Sequence, residues 1–142
     1  MPDLKIIKEF PDNFTFGVAT SSYQIEGNSF GNSGLSHWDH FSKIKGNVYN
    51  NESGKIACAH LPNYKEDIKL IAEAGFSAYR FSFSWPRILP DGKGSINKEG
   101  ISFYDKLIDE LLENNLKTFS TLYHWDLPEI FMSKGGWKNR DT

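Results

Sequence analysis

The sequence predicts an α/β protein built on a parallel sheet, and two observations carry that reading. Strand-like and helix-like segments alternate along the 142 residues, the pattern of parallel strands joined by right-handed helical crossovers. The connections are also unequal. Those from helix to strand are short, at Gly75 and around Asn115, whereas those from strand to helix cover residues 21–61 and 86–96. A doubly wound sheet and a barrel both satisfy these observations. In either, the long connections after the carboxyl ends of strands form the functional rim and the short ones the stabilising side. Residues 21–61, 85–87 and 124–128 are therefore expected to share one rim.

Each element has its own justification. Residues 14–20 (FTFGVAT) form a short apolar run closed by small residues, a first strand. Residues 62–74 place Tyr64, Ile68 and Ile71 on one helical face, with Pro62 at the start, Glu66 and Asp67 near the positive end, and Gly75 as the stop. Residues 76–85 (FSAYRFSFSW) alternate strictly, with Tyr79, Phe81, Phe83 and Trp85 on a bulky face and Ala78, Arg80, Ser82 and Ser84 on a small one. Asn97 can cap a helix running to Asn114, with Ile101, Tyr104, Ile108 and Leu111 as its apolar stripe. Residues 116–125 (LKTFSTLYHW) read as a third strand, and residues 127–137 as the opening of another helix.

Composition narrows the function classes. The formal net charge is −2 with both signs mixed along the chain, so no basic stripe is present to track phosphates or an anionic membrane. Nucleic acid is not an expected partner, nor is a membrane. The lone Cys58 has no second cysteine to pair with and no His or Cys at metal-ligand spacing, so no metal is expected. Residues 1–10 alternate charged and apolar side chains and lack the uninterrupted apolar stretch of a signal peptide or membrane span, which leads to the expectation of a cytoplasmic location. Glycines 27, 31 and 34 lack the strand, tight turn and helix of a phosphate loop, and no nucleophile-elbow motif occurs. Phosphoryl and acyl transfer are disfavoured.

Aromatic residues make up 15% of the chain, with four tryptophans. Most belong in the core, but an aromatic face at a strand end can also stack on the C–H face of a pyranose while polar neighbours take the hydroxyls. Gln24 and Glu26 follow the first strand, where an amide can engage two adjacent hydroxyls; the alternative is that both cap backbone in a turn. Arg80 lies on the small face of the second strand, which in a barrel points inward, so its guanidinium must meet an anion or a set of carbonyls. A structural ion pair is one outcome and the orientation of a catalytic carboxylate the other. His124 and Trp125 end the third strand and suggest a hydroxyl ligand beside a hydrophobic wall, although either residue alone is more often structural. Asp126 is read as a cap for the helix that Pro128 begins.

At this point the sequence resembles family 1 glycoside hydrolases, the β-glucosidase and β-galactosidase group, from about Phe10 to Thr142. Residues 14–27 (FTFGVATSSYQIEG) are similar to the family's amino-terminal signature, residues 79–87 (YRFSFSWPR) to its second strand and residues 122–128 (LYHWDLP) to its third. Two departures occur: residues 57–63 read ACAHLPN where relatives often have ACDHYHR, and Asn28 replaces a small residue. The resemblance implies an incomplete (β/α)8 TIM barrel containing about the first three βα units. It also implies a cofactor-free retaining mechanism on β-linked glucosides or related small saccharides. Gln24, His124 and Trp125 would line the subsite for the non-reducing sugar, and Arg80 would orient the nucleophile. Such cleavage uses two carboxylates. The family places them in an Asn-Glu-Pro motif after the fourth strand and a Thr/Ile-Glu-Asn-Gly motif after the seventh, and neither motif occurs in residues 1–142.

The chain is accordingly expected to be the amino-terminal portion of one glycosidase domain, without catalytic residues of its own. The alternatives are a non-catalytic sugar-binding or assembly module and one half of a split enzyme completed by the missing remainder of the barrel. Three strands cannot close a barrel, so both sheet edges are expected to stay open and an aromatic inner face uncovered.

Overall fold

The computed structural model describes residues 10–142, so nearly all of the segment behind the expected cytoplasmic location lies outside the described residues. Three parallel strands pair in the order β1-β2-β3, with β1 at Gly17–Ala19, β2 at Ala78–Ser82 and β3 at Lys117–Thr121. The register sets Val18 beside Tyr79, Arg80 beside Phe119 and Ser82 beside Thr121. All three strands are shorter than their sequence patterns. The sequence alternation runs on into segments that have left the ladder, at the bends after Thr121 and the helical turn from Trp85. Trp85 leaves the strand altogether and opens a short helix with Pro86, which has no N–H to give a neighbouring strand.

Five α-helices accompany the sheet among the described residues: α1 Ser22–Ile25, α2 His37–Lys43, α3 His60–Glu73, α4 Trp85–Ile88 and α5 Lys98–Glu113. Helix α5 begins as expected, with the Asn97 side chain accepting from the Glu99 amide at 3.1 Å. Its buried stripe is rotated from the expected one: Phe103, Tyr104, Leu107 and Leu111 are enclosed, while Ile101 is exposed. Helix α3 starts two residues before Pro62, after Ala59 at φ +51°, and this first turn has no side-chain cap. The terminal segment forms 3-10 helices at Glu129–Lys134 and Gly136–Lys138 rather than one α-helix. Gly135 and Gly136, at φ +88° and +53°, turn the chain out of right-handed helix between them.

Tyr79 and Phe81 of β2 face Ile68 of α3 and Phe103, Tyr104, Leu107 and Leu111 of α5, which together with Leu116 form the core. The bulky face of β2 is therefore covered by helices, so the aromatic residues of β2 are not the ones left uncovered. The open face carries Arg80 and, opposite it on β3, Phe119 at 54% exposure. β1 and β3 are the sheet edges. Among the described residues no helix is long and apolar enough to cross a membrane.

Leu111 is fully buried. Leu111→Ala removes packing from this buried cluster and should cost about 2–5 kcal/mol, read as a lower urea midpoint. A midpoint within error of the parent would contradict this placement of the core.

Candidate functional site

The strand-end loops converge as the connection lengths predict. Gln24 lies on α1 immediately after β1, and His124 and Trp125 lie three and four residues after β3. With Ser21, Tyr23 and Trp38 they line a pocket of about 360 Å³. The structure thus brings together the three residues singled out as sugar contacts. The Gln24 amide oxygen accepts from the Ser21 hydroxyl at 2.7 Å, and the amide carries two N–H donors beyond that bond. Trp125 is 66% exposed, adopts φ +68° and sets its ring 5.5 Å from that of His124.

Arg80 projects from β2 toward the same rim and is half-buried. Its Nε donates to the Thr121 hydroxyl at 2.8 Å, Nη1 to the Thr20 carbonyl at 3.1 Å and Nη2 to His124 Nδ1 at 2.9 Å. An arginine has no acceptor, so Nδ1 must be the accepting nitrogen and the imidazole carries its proton on Nε2. The guanidinium therefore fixes the tautomer of His124 and ties the ends of β1, β2 and β3 together. Of the two outcomes open to Arg80, neither an ion pair nor a carboxylate contact is present among the described residues; carbonyl, hydroxyl and imidazole hold it instead.

Glu26 does not join the pocket. It is buried, accepts from Arg87 Nε at 2.8 Å and from the Tyr104 hydroxyl at 2.9 Å. Burial pushes its carboxyl up against the opposing pull of the Arg87 charge. The same burial, reinforced by the Glu26 charge, raises the Tyr104 phenol well above its ordinary value. Asp126 does not cap the helical turn after Pro128, which has no side-chain cap. It turns inward, where Oδ2 accepts from the Ser22 hydroxyl at 2.8 Å.

Trp38, like Ser21 and Tyr23, is a pocket residue that sequence reasoning missed. It sits on α2, whose start is set by a reciprocal pair in which the Ser36 hydroxyl accepts from the Asp39 amide and the Asp39 carboxylate accepts from the Ser36 amide. The Ser36-His37-Trp38-Asp39 spacing carries that signal and lies in the loop already assigned to the rim.

Parallel βα units with an amide, an imidazole and an indole gathered at the carboxyl ends of the strands define a barrel-type α/β protein with its pocket on the loop rim. Comparison with known proteins makes this specific. The model for glycosyl hydrolase family 1 matches residues 6–142. A 1,4-beta-D-glucan glucohydrolase of Thermotoga neapolitana is 53% identical over 136 residues, covering 95% of this chain and 32% of its own length. A beta-glucosidase of Agrobacterium is 50% identical over 134 residues, 29% of its length. Among solved structures, the family 1 β-glucosidase of Thermotoga maritima superposes with a TM-score of 0.89 at 52% identity, over 93% of this chain and 30% of that one. It has also been solved with cyclophellitol and with castanospermine. The chain belongs to glycosyl hydrolase family 1. It spans about 30% of the length of these relatives, and its fold is an incomplete (β/α)8 barrel.

Burial also raises the Asp126 carboxyl above its ordinary value of 3.8, with hydrogen bonding opposing. An acid raised in the folded state contributes stability that is complete below its unfolded value and lost as pH rises through the folded one. The urea midpoint of the parent, measured relative to Asp126→Asn, should therefore fall as pH increases from about 4. A difference that stays flat or grows would contradict the burial of this carboxylate.

Proposed function

We propose that this chain supplies part of the non-reducing-sugar subsite of a retaining β-glycosidase of the β-glucosidase type, and that it is catalytically incomplete alone. The observation carrying this reading is the single pocket lined by Gln24, His124 and Trp125, with Arg80 bonded to His124. Gln24 offers amide donors and an acceptor to neighbouring hydroxyls, His124 offers its Nε2–H, and the exposed indole of Trp125 supplies an apolar wall for the ring face. The inhibitor complexes of the Thermotoga maritima relative support a saccharide-like ligand for this pocket. Arg80 acts as a positioning residue in the completed barrel, holding the nucleophile ionised and aimed.

In that barrel the acid/base and nucleophilic carboxylates come from βα units beyond these three strands, and the reaction is a double displacement. The partner of this chain is the remainder of the barrel, paired along the edges of β1 and β3. This favours a member of a barrel over a free-standing binding module, because an open sheet edge and an open inner face are surfaces that a parallel sheet covers.

Mixed with p-nitrophenyl β-glucoside, the 142-residue chain should release no nitrophenol above background. The same chain joined to the remaining βα units of a family 1 barrel should release it. Turnover by the chain alone would overturn the claim of incompleteness. In the joined form His124→Ala should weaken sugar inhibition by about tenfold, equivalent to about 1.4 kcal/mol, and Arg80→Lys should lower kcat more than it changes KM. Unchanged constants in both variants would remove these residues from the site.

A further inference from the structure

Beside the sugar pocket, with Tyr23 in both walls, lies a much smaller cavity of about 20 Å³. Its wall includes Ser22, Ser36, Asp39, Ser84, Arg87 and Asp126. The charged groups on this wall are largely matched. Arg87 faces Glu26, and Asp39 accepts from the Ser36 amide and hydroxyl, each at 2.8 Å, and from the Asn28 side chain. Asp126 differs. It is 1% exposed, its Oδ2 accepts from Ser22, and the Ser84 side chain and the backbone of His124 and of Asp126 itself also lie beside the carboxylate. Its Oδ1 is buried without a hydrogen-bond partner in the protein.

A buried carboxylate oxygen left unpartnered has given up its hydrogen bonds to water without a replacement, which destabilises the fold. A cavity holds a water when it offers roughly 10–15 Å³ of probe volume and two to four polar contacts. The cavity has the volume, and Ser22, Ser36, Ser84 and Asp126 put polar side chains on its wall. A metal ion is disfavoured, because among the described residues no three His, Cys, Asp or Glu side chains are grouped to hold one.

We propose that this cavity binds one internal water molecule, which donates a hydrogen bond to Asp126 Oδ1 and bonds at least one other polar group of the wall. Through Asp126 the water supports the segment carrying His124 and Trp125, which directly precede it, in addition to the direct bond from Ser22.

A crystal structure of the chain at a resolution that resolves ordered waters tests this. The expected result is one peak about 2.7–3.0 Å from Asp126 Oδ1 and within hydrogen-bond distance of a second wall atom. No peak, a carboxylate rotated so that protein donors take both oxygens, or a peak with several oxygens at about 2.3–2.6 Å as around a bound cation, would overturn it. In solution, amide protons on the cavity wall should show cross-relaxation with water of the sign given by a long-lived bound molecule. Its absence at every wall amide would overturn the proposal as well.

Discussion

Arg87 is the interaction on which the rim depends. It is among the largest side chains withdrawn from solvent, at 1% exposure, and a buried guanidinium is tolerated only when its donors are met. Nε meets Glu26, Nη2 the Gly27 carbonyl at 2.9 Å and Nη1 the Phe30 carbonyl. The Arg87 carbonyl in turn accepts from the Asn97 side chain at 2.9 Å, the residue that caps α5. One residue on the short helix after β2 thereby fastens the long loop after β1 to the start of the next helix. Gly100 permits this approach, since a Cβ there would collide with the Arg87 carbonyl. Both carboxylate and guanidinium are buried, so removing either leaves the other uncompensated, a loss on the order of 3–5 kcal/mol.

The parts of the fold governed by local rules were legible in the sequence. The apolar spacing and the Asn97 cap marked α5, the Tyr64, Ile68 and Ile71 face marked α3, and unequal connections placed the rim. Positions that depend on distant partners were not. Glu26 reads as a polar residue in a turn because its partners Arg87 and Tyr104 lie 61 and 78 positions away. Asp126 reads as a helix cap because the serine that receives it is 104 positions distant. The strands were overextended because sequence alternation does not mark where pairing ends. Of the site, Gln24, His124 and Trp125 could be found from their places at strand ends, whereas Trp38 enters through a helix in the middle of a loop, where periodicity says nothing about direction.

The two faces of the sheet explain how one fold can be both well packed and open. Residues on the outward face of β2 are enclosed by α3 and α5, and the long-range order of the chain is carried there. The inward face has no second layer from these residues, so Arg80 finds hydroxyl, carbonyl and imidazole partners along the rim. Membership of glycosyl hydrolase family 1 and a span of about 30% of its relatives give that open face its meaning. It is the lining of a barrel rather than a surface shaped for water.

Trp125 has a backbone conformation, at φ +68°, that a bulky side chain adopts at a cost of order 1–3 kcal/mol. It is anchored on both sides, by His124 on Arg80 and by Asp126 on Ser22. The backbone that carries the indole is thus held in place although two thirds of the residue's surface remains exposed. The entropy of restraining that backbone is lost during folding, so only the side-chain torsions of the indole remain to be ordered by whatever packs against it.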